Sequence, residues 1–234
     1  MVSHSLAAHS GMWDAQASAW AERFRVVRYD LPGHGGSAAP AGPCSVADLG
    51  RHALALMDAL AVRRAHWCGL SLGGMIGLWL MAHAPERIGR AILAHTSAHL
   101  GPRAIWDGRI RSAARGGLDP LVEPTLALWF TESFRRDAPA EVDRMRAMIR
   151  ETSVEGFQAG CAAIRDMDLR SSLGAIPHPT LVITGRQDRA TPPEHGLAIA
   201  NGLSNADVLT LETGHFGNVE DPSTFTGAVE RFLG

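Results

Sequence analysis

No lysine occurs among the 234 residues: the 22 basic side chains are all arginine, against 24 acidic ones, for a net charge of −2. Alanine is abundant too, so this bias reads as codon usage rather than function. No basic stripe marks a nucleic-acid partner. The three cysteines, Cys44, Cys68 and Cys161, are odd in number and widely scattered, so neither a disulfide framework nor a zinc site is indicated. His66 and Cys68 fall on one face of an expected strand, but nothing completes a metal set. Nowhere do about 20 apolar residues run together, so no membrane span is expected. No signal peptide is visible, which makes the cytoplasm the expected compartment. Repeats and low-complexity segments are absent as well. What remains is an ordinary globular composition, 46% hydrophobic, long enough for one α/β domain with a cap.

Against this plain background stands Gly69-Leu70-Ser71-Leu72-Gly73. An extended run, Arg64 to Cys68, precedes it and an apolar helix-like stretch, Met75 to Met81, follows. G-x-S-x-G between a strand and a helix reads as a nucleophile elbow, a strained turn whose flanking glycines let neighbouring backbone pack closely. A serine hydroxyl is a weak nucleophile at neutral pH, so it needs a base, and the base needs an orienting carboxylate.

Both occur downstream. Pro179-Thr180-Leu181-Val182-Ile183-Thr184-Gly185 reads as a buried parallel strand and runs into Arg186-Gln187-Asp188. Asp188 thus sits beyond the carboxyl end of a strand, where open parallel sheets carry functional groups. A further strand candidate, Ala206 to Glu212, leads into Thr213-Gly214-His215-Phe216. Ser71, Asp188 and His215 therefore follow in the chain order Ser, Asp, His, each at a strand-to-loop junction. Two plainer readings stand beside this one. Ranked below it, Asp188 is a cap for a helix starting near Pro192 to Glu194, and His215 a loop histidine bonded to backbone. Glu220 and Asp221 are read as a cap for the last helix. Asp166 and Asp168 follow no strand-like run and rank below Asp188.

Strands are expected at Arg25–Asp30, Arg64–Cys68, Ala91–His95, Thr180–Thr184 and Asp207–Leu211. Helices are expected near Met12–Glu22, Val46–Leu60, Leu72–His83, Pro193–Leu203 and Pro222–Leu233. This alternation predicts a single α/β domain over 1–234, built on a doubly wound, mostly parallel sheet. The stretch at about 97–172 breaks the alternation and is expected to form a helical cap over the sheet's carboxyl edge. Met145 and Met148 there are at packing spacing. For an oxyanion hole, Leu72 follows the nucleophile, and Leu6, in Val2 to Ala8, is the second backbone donor.

Taken together the chain resembles the α/β-hydrolase family, and more narrowly the 3-oxoadipate enol-lactonases. The residues that carry the resemblance are Ser3-His4-Ser5-Leu6 with Met12-Trp13, Tyr29 to Ser37, and the Gly69–Gly74 elbow. Leu128-Trp129-Phe130-Thr131, Ile164 to Arg170 and Gly214 to Pro222 add to them. The Trp-Phe-Thr and Arg-Asp-Met-Asp-Leu-Arg stretches look more particular to enol-lactonases, and the resemblance spans essentially the whole chain. It implies an α/β-hydrolase fold, hydrolysis of a small lactone or ester by Ser71, His215 and Asp188, and no cofactor or metal. It further implies a place in aromatic catabolism, with Trp129 in the pocket wall and His34 near the site in a structural role. An enol-lactone of this pathway bears a carboxylate arm, for which Arg103, Arg109, Arg111, Arg115, Arg135, Arg136 and Arg165 are all available. Only Met1-Val2-Ser3 precede His4, whereas family members carry roughly two further strands and most of a third. The expectation is a start internal to a longer protein, with N-terminal strands missing. A broad carboxylesterase, a cofactor-free perhydrolase and a non-catalytic or remnant hydrolase-fold protein are the alternatives. Oligomeric state is not legible.

Overall fold

Short apolar runs bounded by glycine, proline and polar residues set the strands. In the computed structural model, which describes residues 1–234, five of them form one parallel sheet. They are β1 (Val2–Ser3), β2 (Ala65–Leu70), β3 (Ile88–Ala94), β4 (Thr180–Gly185) and β5 (Ala206–Leu211), side by side in chain order. The register is continuous: Val2 pairs with Cys68, Cys68 with Ile92, Ile92 with Leu181 and Leu181 with Asp207. All of β4 and the last four residues of β2 and β3 are buried. Parallel strands covered on both faces require this.

Helices make the crossovers. α1 (Asp14–Trp20) and α2 (Val46–Ala59) lie between β1 and β2, and α3 (Leu72–His83) lies between β2 and β3. α2 opens with a capping box, in which Ser45 and Asp48 each accept the other's backbone N–H. Five helices separate β3 from β4: α4 (Arg103–Gly116), α5 (Asp119–Trp129), α6 (Glu132–Asp137), α7 (Pro139–Glu151) and α8 (Val154–Asp166). After β4 come α9 (Pro193–Gly202), α10 (Gly217–Glu220) and α11 (Pro222–Leu233). α3 packs on β2, β3 and α2, while α11 packs on α1, and α4 lies against α8. The two ends of the five-helix insertion close on each other. His99 and Asp168 form an antiparallel bridge, and the Leu169 N–H donates to the Ala98 carbonyl at 2.8 Å.

Two sequence expectations need correction. The segment Arg25–Asp30 is not a strand; it makes one bridge, Arg28 to Val2, because β1 offers only two residues for pairing. The helix expected over Met12–Glu22 is split. A 3-10 turn at Ser10–Trp13, started by His9 accepting the Gly11 N–H, precedes the shorter α1.

Candidate active site

Ser71 joins β2 to α3 with φ 56° and ψ −115°, a positive φ that non-glycine residues rarely adopt. The surroundings hold it there. Its N–H donates to the Ala94 carbonyl at 2.9 Å, and its own carbonyl accepts from Thr96 Oγ1 at 2.7 Å. The flanking glycines are needed for closeness. A Cβ on Gly69 would lie 2.1 Å from the Gly73 carbonyl oxygen, and one on Gly73 would lie 2.2 Å from that of Ser3. The Trp67 indole locks the same turn by donating to the Gly73 carbonyl at 3.0 Å.

Asp188 sits in the loop after β4 as a buried carboxylate surrounded by donors. Oδ1 accepts the amides of Ala190 and Thr191 at 2.9 and 2.8 Å. Oδ2 accepts from His215 Nδ1 at 2.9 Å, Thr191 Oγ1 at 3.0 Å and His95 Nδ1 at 3.2 Å. Burial by itself would raise the pKa of this carboxyl. Its interactions with His215 and His95 outweigh burial and hold it far below the usual carboxylate range. α9 begins after Pro192 with no side-chain cap, so Asp188 does not cap it. The His215 ring is turned to Asp188 rather than to backbone. The His215 N–H donates separately to the Trp129 carbonyl at 2.7 Å.

His95 is a participant that sequence reasoning missed. It follows β3 with φ 47°, lies fully buried edge-on to His215, and has no partner for Nε2. Burial lowers its pKa against the pull of Asp188, so it is a neutral donor. Its position after an apolar strand was the available signal, but its partner is 93 residues away. His95, Asp188 and His215 bring three potential ligand atoms within 4.8 Å of one another. Both histidine Nδ1 atoms converge on one carboxylate oxygen, however, which is the geometry of two donors sharing an acceptor.

Glu220 corrects another expectation. Asp221 caps α11 by accepting the Thr224 N–H, while Glu220 ties two loops together. Its carboxylate accepts from the Thr131 N–H at 2.9 Å, Thr131 Oγ1 at 3.0 Å and the Gly214 N–H at 3.2 Å. Burial raises its pKa even so.

The Leu6 loop rests on two histidines. His4 Nε2 accepts the Leu31 N–H at 2.8 Å, and His34 Nε2 accepts the Ala7 N–H at 3.2 Å. Burial, helped by mutual repulsion, lowers the His4 pKa to about 3; burial lowers that of His34 to about 4. Both are therefore neutral acceptors near pH 7. The Leu6 N–H has no acceptor within the protein, and Leu72, as the first residue of α3, has none within its helix.

Ser71, His215, Leu6, Thr191, Trp129 and Arg109 all help to wall one cavity of about 230 Å³ between the sheet and the insertion. Trp129 also stacks on Phe216, with ring centroids 4.2 Å apart. No hydrogen bond links Ser71 Oγ to His215 here; such bonds are commonly long in unliganded sites. A larger cavity of about 1120 Å³, walled by Trp20, Val27, Trp67 and Leu233 among others, contains none of these groups.

A strained serine on a strand–helix turn, with a His–Asp pair on later loops of a parallel sheet, is the frame of one large class of hydrolases. The chain belongs to the alpha/beta hydrolase fold family, whose sequence profile matches residues 1–222. It is 36% identical over 233 residues to 3-oxoadipate enol-lactonase 2 of Acinetobacter baylyi, covering 100% of this chain and 87% of that protein. Among solved structures, a hydrolase from Pseudomonas aeruginosa PA01 superposes with a TM-score of 0.97 at 46% identity, covering 100% and 88% of the two chains. The enol-lactonase from Burkholderia xenovorans LB400 superposes with a TM-score of 0.97 at 37% identity, covering 99% and 89%. No helix is long and apolar enough to cross a membrane.

Proposed function

We propose that this chain hydrolyses 3-oxoadipate enol-lactone to 3-oxoadipate, as a step of aromatic catabolism. His215 takes the proton of Ser71 through Nε2, while its Nδ1–H stays on Asp188. Ser71 Oγ attacks the lactone carbonyl, and the Leu6 and Leu72 amides receive the oxyanion. Collapse breaks the ring C–O bond, and the departing enolate takes the proton that His215 holds, which leaves His215 neutral; the enol so formed becomes the ketone. Water, deprotonated by His215, then attacks the acyl ester and frees the acid and Ser71. The observation that carries this reading is the His215–Asp188 bond at 2.9 Å opening onto the cavity that Ser71 also lines. Similarity to enol-lactonases supports the substrate class.

The test is loss of enol-lactone absorbance by purified protein, with Ser71→Ala as control. Loss of an essential nucleophile costs about 10⁶-fold in rate, so the variant is expected at background. Turnover that survives Ser71→Ala would overturn the mechanism. Faster hydrolysis of p-nitrophenyl acetate than of the lactone would move the assignment to a broad carboxylesterase.

A further inference from the structure

The 230 Å³ cavity has no acidic side chain in its wall and two cationic ones, Arg109 and Arg189. Arg189 is exposed, whereas Arg109 is largely enclosed. Six of the ten arginines between residues 103 and 165 pair with carboxylates: Arg103, Arg136, Arg144, Arg146, Arg150 and Arg165. Arg111 and Arg115 are exposed to water, and Arg135 is outside the cavity wall. Arg109 alone combines enclosure, a place in that wall and the lack of an acidic partner.

Its neighbours fix it without neutralising it. Nη2 donates to Thr125 Oγ1 at 3.1 Å, and the guanidinium carbon lies 5.6 Å from the Trp106 ring centre and 5.7 Å from that of Phe157. Ring faces attract a cation at this range but leave its charge whole. One of five N–H donors is engaged within the protein, and the planar fork is matched to a carboxylate. Burial pulls the guanidinium below its ordinary pKa, yet arginine keeps its proton at neutral pH. An enclosed cation with no counter-charge is unfavourable, and an anionic ligand would relieve it.

We propose that Arg109 is a carboxylate subsite, through which the cavity selects small lactones and esters bearing a free carboxylate over neutral molecules of the same shape. The proposal deepens the lactonase reading and rests on it for the identity of the reacting group. The cavity is small beside the ~300–1,000 Å³ of common ligand pockets, so the carboxylate and the scissile carbonyl belong to one compact molecule.

The experiment compares kcat/KM for the enol-lactone acid with that for its neutral methyl ester. Arg109→Met keeps an apolar stem against Trp106 and Phe157 and removes the charge. The acid-over-ester ratio is expected to fall about 10- to 100-fold, mainly through KM, as loss of one charge-assisted contact implies. Arg109→Lys should recover part of the fall, because it restores charge without the fork. An equal loss on both substrates would overturn the subsite, as would a ratio that moves with Arg189→Met and not with Arg109→Met. Binding of adipate against neutral adipamide, by calorimetry, separates this idea from the lactonase reading because it needs no turnover. Preference for adipate that collapses in the folded Arg109→Met protein supports the subsite even if no lactone is hydrolysed. No preference in the wild-type protein sinks it.

Discussion

The carboxyl edge of the sheet and the five-helix insertion above it place functional groups by different means. At the sheet edge, backbone geometry does the placing. Ser71 is held by a positive φ and two glycines, and Asp188 by two amides of its own loop. In the insertion, Arg109 is placed by side chains on three helices: Trp106 on its own, Thr125 on α5 and Phe157 on α8. Local constraint leaves a mark in the sequence, and tertiary packing leaves almost none. In the proposed mechanism, chemistry belongs to the sheet edge and selectivity to the insertion.

Four substitutions or conditions press on that division. The largest effect expected is from Asp188→Asn, which keeps the shape but leaves His215 in the wrong tautomer; kcat should fall about 10⁴-fold. A steady-state measurement on any accepted ester reads it, and a loss under tenfold would show that Thr191, whose Oγ1 lies 3.2 Å from His215 Nδ1, orients His215 without the carboxylate. Next is Gly73→Ala. Its Cβ would meet the Ser3 carbonyl at 2.2 Å, backbone against backbone, so overpacking of about 3 kcal/mol or more is expected in a urea titration.

Acid should act on the Leu6 loop. The unfolded chain protonates its histidines near pH 6.5, while folded His4 and His34 resist down to about 3 and 4. Below pH 6.5 the unfolded state thus binds more protons, and each of these two residues removes about 1.4 kcal/mol of stability per pH unit. Urea midpoints at pH 7.5 and 5.5 test this, and His34→Gln should shrink the difference. The smallest effect expected is a gain from Gly108→Ala in α4, where an added Cβ meets nothing within 4 Å. Helix propensity alone predicts about 0.5–1 kcal/mol of stabilisation, read as a raised Tm. A loss there would show the insertion to be as tightly determined as the elbow.

Legibility follows the same division. The strand ends carrying Ser71, Asp188 and His215 were readable because each apolar run stops at a turn signal. The start of β3 lies three residues before the expected Ala91, since Ile88-Gly89-Arg90 carries polar and flexible residues into the strand. Arg25–Asp30 reads as a strand because Val26, Val27 and Tyr29 favour extended backbone, while pairing depends on how much neighbour is present. Glu220 reads as a cap because capping is a local rule, but its partners, Thr131 and Gly214, come from different loops. Arg109 was one of seven candidates, and nothing in the spacing of α4 separates it from Arg103 or Arg111. His95 was invisible because a lone histidine after an apolar run is given meaning only by the loop it meets.

The Trp129 carbonyl accepts the N–H groups of both His215 and Phe216, and Glu220 bolts Thr131 to Gly214. The last turn of α5 is thus part of the histidine loop in everything but chain connectivity. A protein engineer who exchanged the insertion for another to change substrate range would have to leave residues 129–131 behind. The modular boundary lies inside the insertion, at the end of α5, and not where the chain leaves the sheet.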